Sequence, residues 1–200
     1  MCYTMIVKTI KSKGAVMFRR KTMQEAKQET EKIFEILKAI TCCFTGYRSQ
    51  KLPWRFNELD ERCLIMKENA RNEILNAIKI GYRTFISGMA LGFDMICAEI
   101  ILELKKQYQD IKLVCALPCK DQYKVWREDQ QKRYKDILKQ ADIVHYQYEK
   151  YQDGCMLERN DYMLNNSSMV IALFNGQPGG TKYTLDKAQK KGLKIVVIKP

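Results

Sequence analysis

The chain has 200 residues, 46% of them hydrophobic, with a formal net charge of +12. That length suits one domain, or one domain with an appendage, and the composition supplies a full core. No apolar run approaches the ~18–20 residues of a membrane-spanning helix. Eight cysteines without a CxxC pair read as reduced, buried thiols, and a single histidine, His145, excludes zinc sites built on several imidazoles. His145 ends the run "ADIVH" and reads as a strand-end residue, not as a base.

Residues 1–40 form an N-terminal extension. "MCYTMIVKTI" suits a strand, and "TMQEAKQETEKIFEILKAI" suits a helix with apolar positions at Ile33, Phe34, Ile36, Leu37 and Ile40. Its N-terminus has lysines inside its only apolar run and no small-residue cleavage site, so a soluble, cytoplasmic protein is expected, with no membrane partner. Lysine and arginine are spread along the chain, with nine against four glutamates in residues 1–40. The excess suits phosphate-bearing partners, from nucleotides to nucleic acid. No basic stripe interleaved with aromatics favours nucleic acid.

From residue 41 to 200 the pattern alternates. Short apolar runs at 41–46, 83–88, 111–117, 142–146, 168–174 and 194–199 predict strands, with helices near 60–80, 92–108, 121–139, 155–166 and 181–191. The expected fold is α/β: a three-layer, Rossmann-like domain with a mostly parallel sheet. In such folds a ligand sits beyond the carboxyl ends of the strands, so the residues after each strand carry the functional reading.

The first strand runs into "TGYRS". Thr45 and Gly46 permit close backbone approach, Tyr47 follows, and Arg48 offers a bidentate cation to phosphate. The second runs into "SGMALGFD", in which Ser87, Gly88, Met89 and Gly92 form a turn opening a helix and Asp94 lies in its first turn. Bare backbone at a helix start suits an anion, and Asp94 suits a helix cap or a ribose hydroxyl. GxxxG also serves helix packing, and the pattern is neither GxGxxG nor a Walker A loop. The third runs into "PCKDQYKVW", where Pro118 is expected to end the strand and Asp121 to cap the next helix. Gln122 and Trp126 there suit either a base pocket or the core. The fourth leads to "DGCMLERN", with Glu158, Arg159 and Asn160 early in a helix. The fifth leads to "NGQPGGTKYT", where Gly179, Gly180 and Thr181 open another helix. Two glycine loops, both after strands and both opening helices, point to a phosphate-bearing ligand. No metal is required.

Four segments in order, "CCFTGYRSQKLP", "SGMALGFDMICAE", "GCMLERNDYML" and "NGQPGGTKYTLDKA", closely resemble the YpsA-like family of the SLOG superfamily, which unites DprA/SMF proteins and LOG enzymes. The resemblance covers about 41–199. It implies a domain binding a nucleotide or nucleotide derivative such as NAD, ADP-ribose or a nucleoside monophosphate, with phosphates near the glycine loops. It also implies a sensor or regulatory role in bacterial stress or cell-division physiology, and self-association. Two alternatives come with it. One is LOG-like N-glycosidic hydrolysis, for which Glu158 is the candidate catalytic carboxylate. "PGGTKYTLD" departs from the LOG pattern by placing Thr184 where a glutamate is expected. The other is DprA-like binding of single-stranded DNA, which would need aromatic platforms along a basic groove.

Overall fold

A computed structural model describes residues 11–12, 15–16 and 22–200. The strand expected over 1–10 lies outside the described residues. The chain divides into two compact units, Met1–Ile36 and Leu37–Pro200. In the first, β1 (Lys11–Ser12) pairs antiparallel with β2 (Ala15–Val16). Helix α1 (Met23–Ala39) crosses the boundary and has no buried residue. A reciprocal cap starts it: Thr22 Oγ1 accepts from the Glu25 N–H, and the Glu25 carboxylate accepts from the Thr22 N–H.

The second unit holds β3 (Thr41–Gly46), α2 (Glu61–Lys79), β4 (Thr84–Ser87), α3 (Phe93–Leu104), β5 (Lys112–Cys119), α4 (Glu128–Gln140), β6 (Ile143–Tyr148), α5 (Cys155–Asn165), β7 (Met169–Leu173), α6 (Gly180–Lys190) and β8 (Lys194–Ile198). The six strands form one parallel sheet in the order β6-β5-β4-β3-β7-β8. The fold is the expected Rossmann-like α/β layering. Among the described residues no helix is long and apolar enough to cross a membrane.

The alternation of side chains along each strand builds two cores. Cys42, Phe44, Phe85, Leu113, Cys115, Ile171 and Leu173 face one layer, with α2, α3 and α4. Cys43, Ile86, Val114, Ala116, Val170 and Ala172 face the other, with α5 and α6. Central strands buried on both faces explain the unbroken apolar runs in the sequence. The seven described cysteines are free and buried, and burial pushes the Cys43 and Cys115 thiols up to about 12. They behave as small core residues. His145 lies within β6, not at its end, and stacks on Tyr162 with ring centroids 4.0 Å apart.

Two boundaries differ from expectation. Pro118 does not end its strand, because β5 continues to Cys119. β4 stops at Ser87, opposite Cys115, so the last residues of β5 have a neighbour only in β6, and a missing N–H is tolerated. The helix expected from 121 starts only at Glu128. Asp121 caps no helix. Its Oδ1 accepts from the Tyr151 N–H at 3.1 Å, and Lys124 and Trp126 close turns onto Asp121 and Tyr123.

Candidate functional site

The order of chain connection reverses between β3 and β7. From β3 the chain runs outward through β4, β5 and β6, then returns to β7 on the other side. The loops leaving β3 and β7 therefore diverge, and a crevice opens at the strand carboxyl ends. A cleft of about 320 Å³ lies there. Its lining includes Thr45, Gly46, Tyr47 and Arg48 after β3, Ala90 and Asp94 around the start of α3, Arg159 and Asn160 from α5, and Gly179, Gly180 and Thr181 at the start of α6.

The loop after β3 is zipped to the loop after β4. Ser49 N–H donates to Leu91 O at 3.2 Å, and Phe93 N–H to Tyr47 O at 3.4 Å. Gly92, with φ of +107°, makes this approach possible, since a Cβ there would stand 2.6 Å from Tyr47 O. Gly46 serves similarly: its Cβ would stand 2.6 Å from the Phe93 ring. On the other side, the Tyr47 hydroxyl donates to Asn175 Oδ1 at 2.5 Å and ties the β3 loop to the β7 loop.

The remaining predicted residues divide by role. Ser87 is fully buried, and its hydroxyl donates to Asp94 O at 2.7 Å and accepts from Met89 N–H at 3.1 Å. Met89 is also buried, in the left-handed region at φ +54°, and Ser87 holds that turn. Ser87, Gly88, Met89 and Gly92 thus shape the loop from behind, while Ala90 and Asp94 reach the cleft surface. Glu158 is exposed, takes a hydrogen bond from the Tyr148 hydroxyl, and lies outside the cleft lining.

A buried carboxyl, Asp94, and a buried guanidinium, Arg159, form the floor. Asp94 and Arg159 are about 5% exposed each. The Arg159 guanidinium donates to Gly88 O, and Nε to Asn160 Oδ1 at 2.9 Å. Asn160 Nδ2 continues to Thr184 Oγ1 at 3.0 Å, and that hydroxyl donates to Gly180 O at 2.9 Å. One hydrogen-bonded chain therefore links Arg159 to the start of α6. Burial pushes the Asp94 carboxyl up to about 6, against the opposing pull of Arg159, the Ala90 backbone and Arg48. Burial also lowers Arg159, partly offset by Asp94.

Above the floor, Arg48 and Lys51 are exposed, and among the described residues Asp94 is the sole acidic side chain of the lining. The cleft carries three cationic side chains against one carboxylate. Helices α3, α5 and α6 begin at Gly92, Gly154 and Gly179, each without a side-chain cap. Of these N-termini, α6 opens on the cleft through Gly179 and Gly180, leaving N–H groups for an anion. Sequence reasoning missed Lys51, Ala90, Met156 and Leu157 in this lining. Lys51 had a visible signal, a basic residue closing the loop "TGYRSQK", but its place in the cleft depends on a 3-10 turn at Ser49–Lys51. Among the described residues no cluster of His, Cys, Asp or Glu suits a metal ion.

A family model described as the YspA SLOG family (YpsA) matches residues 42–198. The chain belongs to the YspA SLOG family. A relative from Brevibacillus brevis, a UPF0398 protein, is 30% identical over 149 residues, covering 74% of this chain and 79% of its own. The YspA SLOG chain also resembles DNA processing protein A of Helicobacter pylori, a structure described for its single-stranded DNA binding mode. The TM-score is 0.57 at 21% identity, over 83% of this chain and 67% of the other. DNA processing protein A of Streptococcus pneumoniae gives a TM-score of 0.54 at 16% identity, over 82% of this chain and 51% of the other. At such identities the likeness is one of fold.

Proposed function

We propose that the cleft binds a nucleotide or nucleotide derivative by its phosphate, and that the protein works as a binding or regulatory module without turnover. The observation that carries this reading is the convergence of Arg48, Lys51 and the uncapped start of α6 on one crevice at the chain-reversal point. Arg48 supplies planar charge-assisted donors, Lys51 a mobile point charge, and the α6 backbone a fixed partial charge. In this reading Asp94 accepts from a sugar hydroxyl beside them. Hydrolysis of a glycosidic bond would require a carboxylate free to stabilise a developing cation or activate water. Asp94 is buried in the field of Arg159, Thr184 is hydrogen-bonded to Asn160 and Gly180, and Glu158 lies outside the lining. These placements support binding over cleavage.

Calorimetry and thermal shift against AMP, ADP-ribose and NAD test the reading. At least one should bind and raise Tm, and Arg48→Ala, at an exposed position, should weaken it without lowering the stability of the free protein. No binding by any phosphate ligand, in wild type and variant alike, sinks the proposal.

A second reading is single-stranded DNA binding, supported by the +12 charge and by the description of the Helicobacter pylori fold neighbour. Oligonucleotide affinity should then fall steeply with salt. Undetectable binding at low salt removes this reading.

A further inference from the structure

We propose that the ligand spans two chambers, its phosphate in the cleft and a planar aromatic group in a second chamber under the β5–α4 loop, where Trp126 and Val125 form the docking wall. This rests on the cleft being the anion site, and it narrows the ligand to a phosphorylated molecule bearing a base-like ring.

The second chamber is about 570 Å³ and shares Arg48, Ala90 and Met156 with the cleft. The two therefore adjoin, and each falls within the volumes of small-molecule sites, about 300–1,000 Å³. Arg48 stands at the boundary, its Nη2 4.0 Å from Met156 Sδ. The chambers differ in chemistry. The first gathers Arg48, Lys51 and Arg159, whereas the second adds the apolar and aromatic groups of Leu91, Val125, Trp126 and Tyr151 to a rim carrying Arg48, Asp121 and Lys124. A molecule charged at one end and aromatic at the other matches that order.

The wall is preorganised. Gln131 Nε2 donates to Trp126 O at 2.9 Å and to Lys124 O at 3.3 Å, fixing the loop from α4. The Trp126 ring meets Tyr134 edge-on, with centroids 5.3 Å apart and planes at 86°. Tyr134 is buried, and its hydroxyl accepts from Gln122 Nε2 at 3.2 Å. Asp121 anchors the same loop to Tyr151. Val125 projects at 91% exposure, an apolar side chain at the chamber that no described neighbour covers. A polar loop held this firmly, with an indole and an isopropyl group left at a cavity, suits stacking and edge packing of a ring.

Binding of AMP, ribose 5-phosphate and inorganic pyrophosphate to the full chain separates the two parts of the ligand. AMP should bind about tenfold tighter than ribose 5-phosphate, the scale of one aromatic stacking contact. Val125→Asp and Trp126→Ala should remove that advantage and leave ribose 5-phosphate binding unchanged. Val125→Asp guards against misfolding, because the position is exposed. AMP should also perturb tryptophan emission, which ribose 5-phosphate should not, since the other tryptophan, Trp54, is buried at 4% exposure. Equal affinity for AMP and ribose 5-phosphate, untouched by Val125→Asp, overturns the second chamber while the anion cleft stands. Failure of all three probes overturns the anion cleft and this inference with it. Oligonucleotide binding without mononucleotide binding likewise overturns it, in favour of a strand.

Discussion

Gly88 and Arg159 meet with no room for a side chain between them. The buried guanidinium donates to the Gly88 carbonyl, and a Cβ on Gly88 would stand 2.5 Å from Arg159 Cζ and 2.7 Å from Asp94 Oδ2. Gly88 thus decides where Arg159, the buried arginine among the described cleft residues, stands. Gly88→Ala should cost about 1–3 kcal/mol in stability, the range for overpacking, measured by urea unfolding. It should also weaken phosphate-ligand binding by displacing Arg159 and Asp94. A fully stable, fully binding Gly88→Ala would show that the floor relaxes without consequence.

Gly180 presents the opposite case. A Cβ there would have no atom within 4 Å, and the residue opens α6 at the cleft. Gly180→Ala should leave stability unchanged or slightly raised. Gly180→Asp should raise stability by about 0.3–1 kcal/mol, because a carboxylate suits a helix start. The same charge should weaken a phosphate ligand by about tenfold or more. Separation of the two effects, Tm up and affinity down, is the signature to measure by thermal shift and calorimetry. Unchanged affinity would place the anion elsewhere.

The sheet was legible because its central strands are buried on both faces and so read as apolar runs; 41–46 matches β3 to the residue. The loops after the strands were legible as chemistry through Gly88, Gly92, Gly179 and Gly180. Their division of labour was not. Whether Ser87 faces a ligand or the Asp94 carbonyl depends on a left-handed Met89, which no pattern encodes. The stretch 121–127 carried helical composition, yet a bond from Tyr151 N–H, 30 residues from Asp121, and one from Gln131, at the start of α4, hold it as turns. The Tyr151–Asp121 bond, spanning 30 residues, leaves no local signal.

Glu158 supplies a clean test of turnover. It is exposed, paired with the Tyr148 hydroxyl and absent from the cleft wall. Glu158→Gln should leave affinity for a phosphate ligand unchanged within twofold and stability within about 0.5 kcal/mol, as for a surface substitution. Chromatography of wild-type incubations with AMP or NAD should show no free base. Free base that disappears in Glu158→Gln would establish the hydrolytic alternative and place Glu158 in it.

Asp94 should give the protein a pH dependence of unusual sign for a carboxylate. Its folded pKa is raised to about 6 from 3.8, with burial the largest cause. Between those values the folded state holds a proton that the unfolded chain has released. Stability therefore falls as pH rises through this window, present in full below about 4 and lost above about 6. A shift of roughly two units corresponds to about 3 kcal/mol. Other carboxylates act oppositely: Glu58, with burial opposing Arg133 and Lys67, and Asp142, with burial opposing Lys105, are both held below their usual values. The comparison of wild type with Asp94→Asn isolates the one group. The unfolding free energy of wild type relative to Asp94→Asn, from urea titrations at pH 4, 5, 6 and 7, should decline by about 3 kcal/mol across the series. A flat difference would mean that Arg159 keeps Asp94 ionised throughout, and that the floor of the cleft is a permanent ion pair.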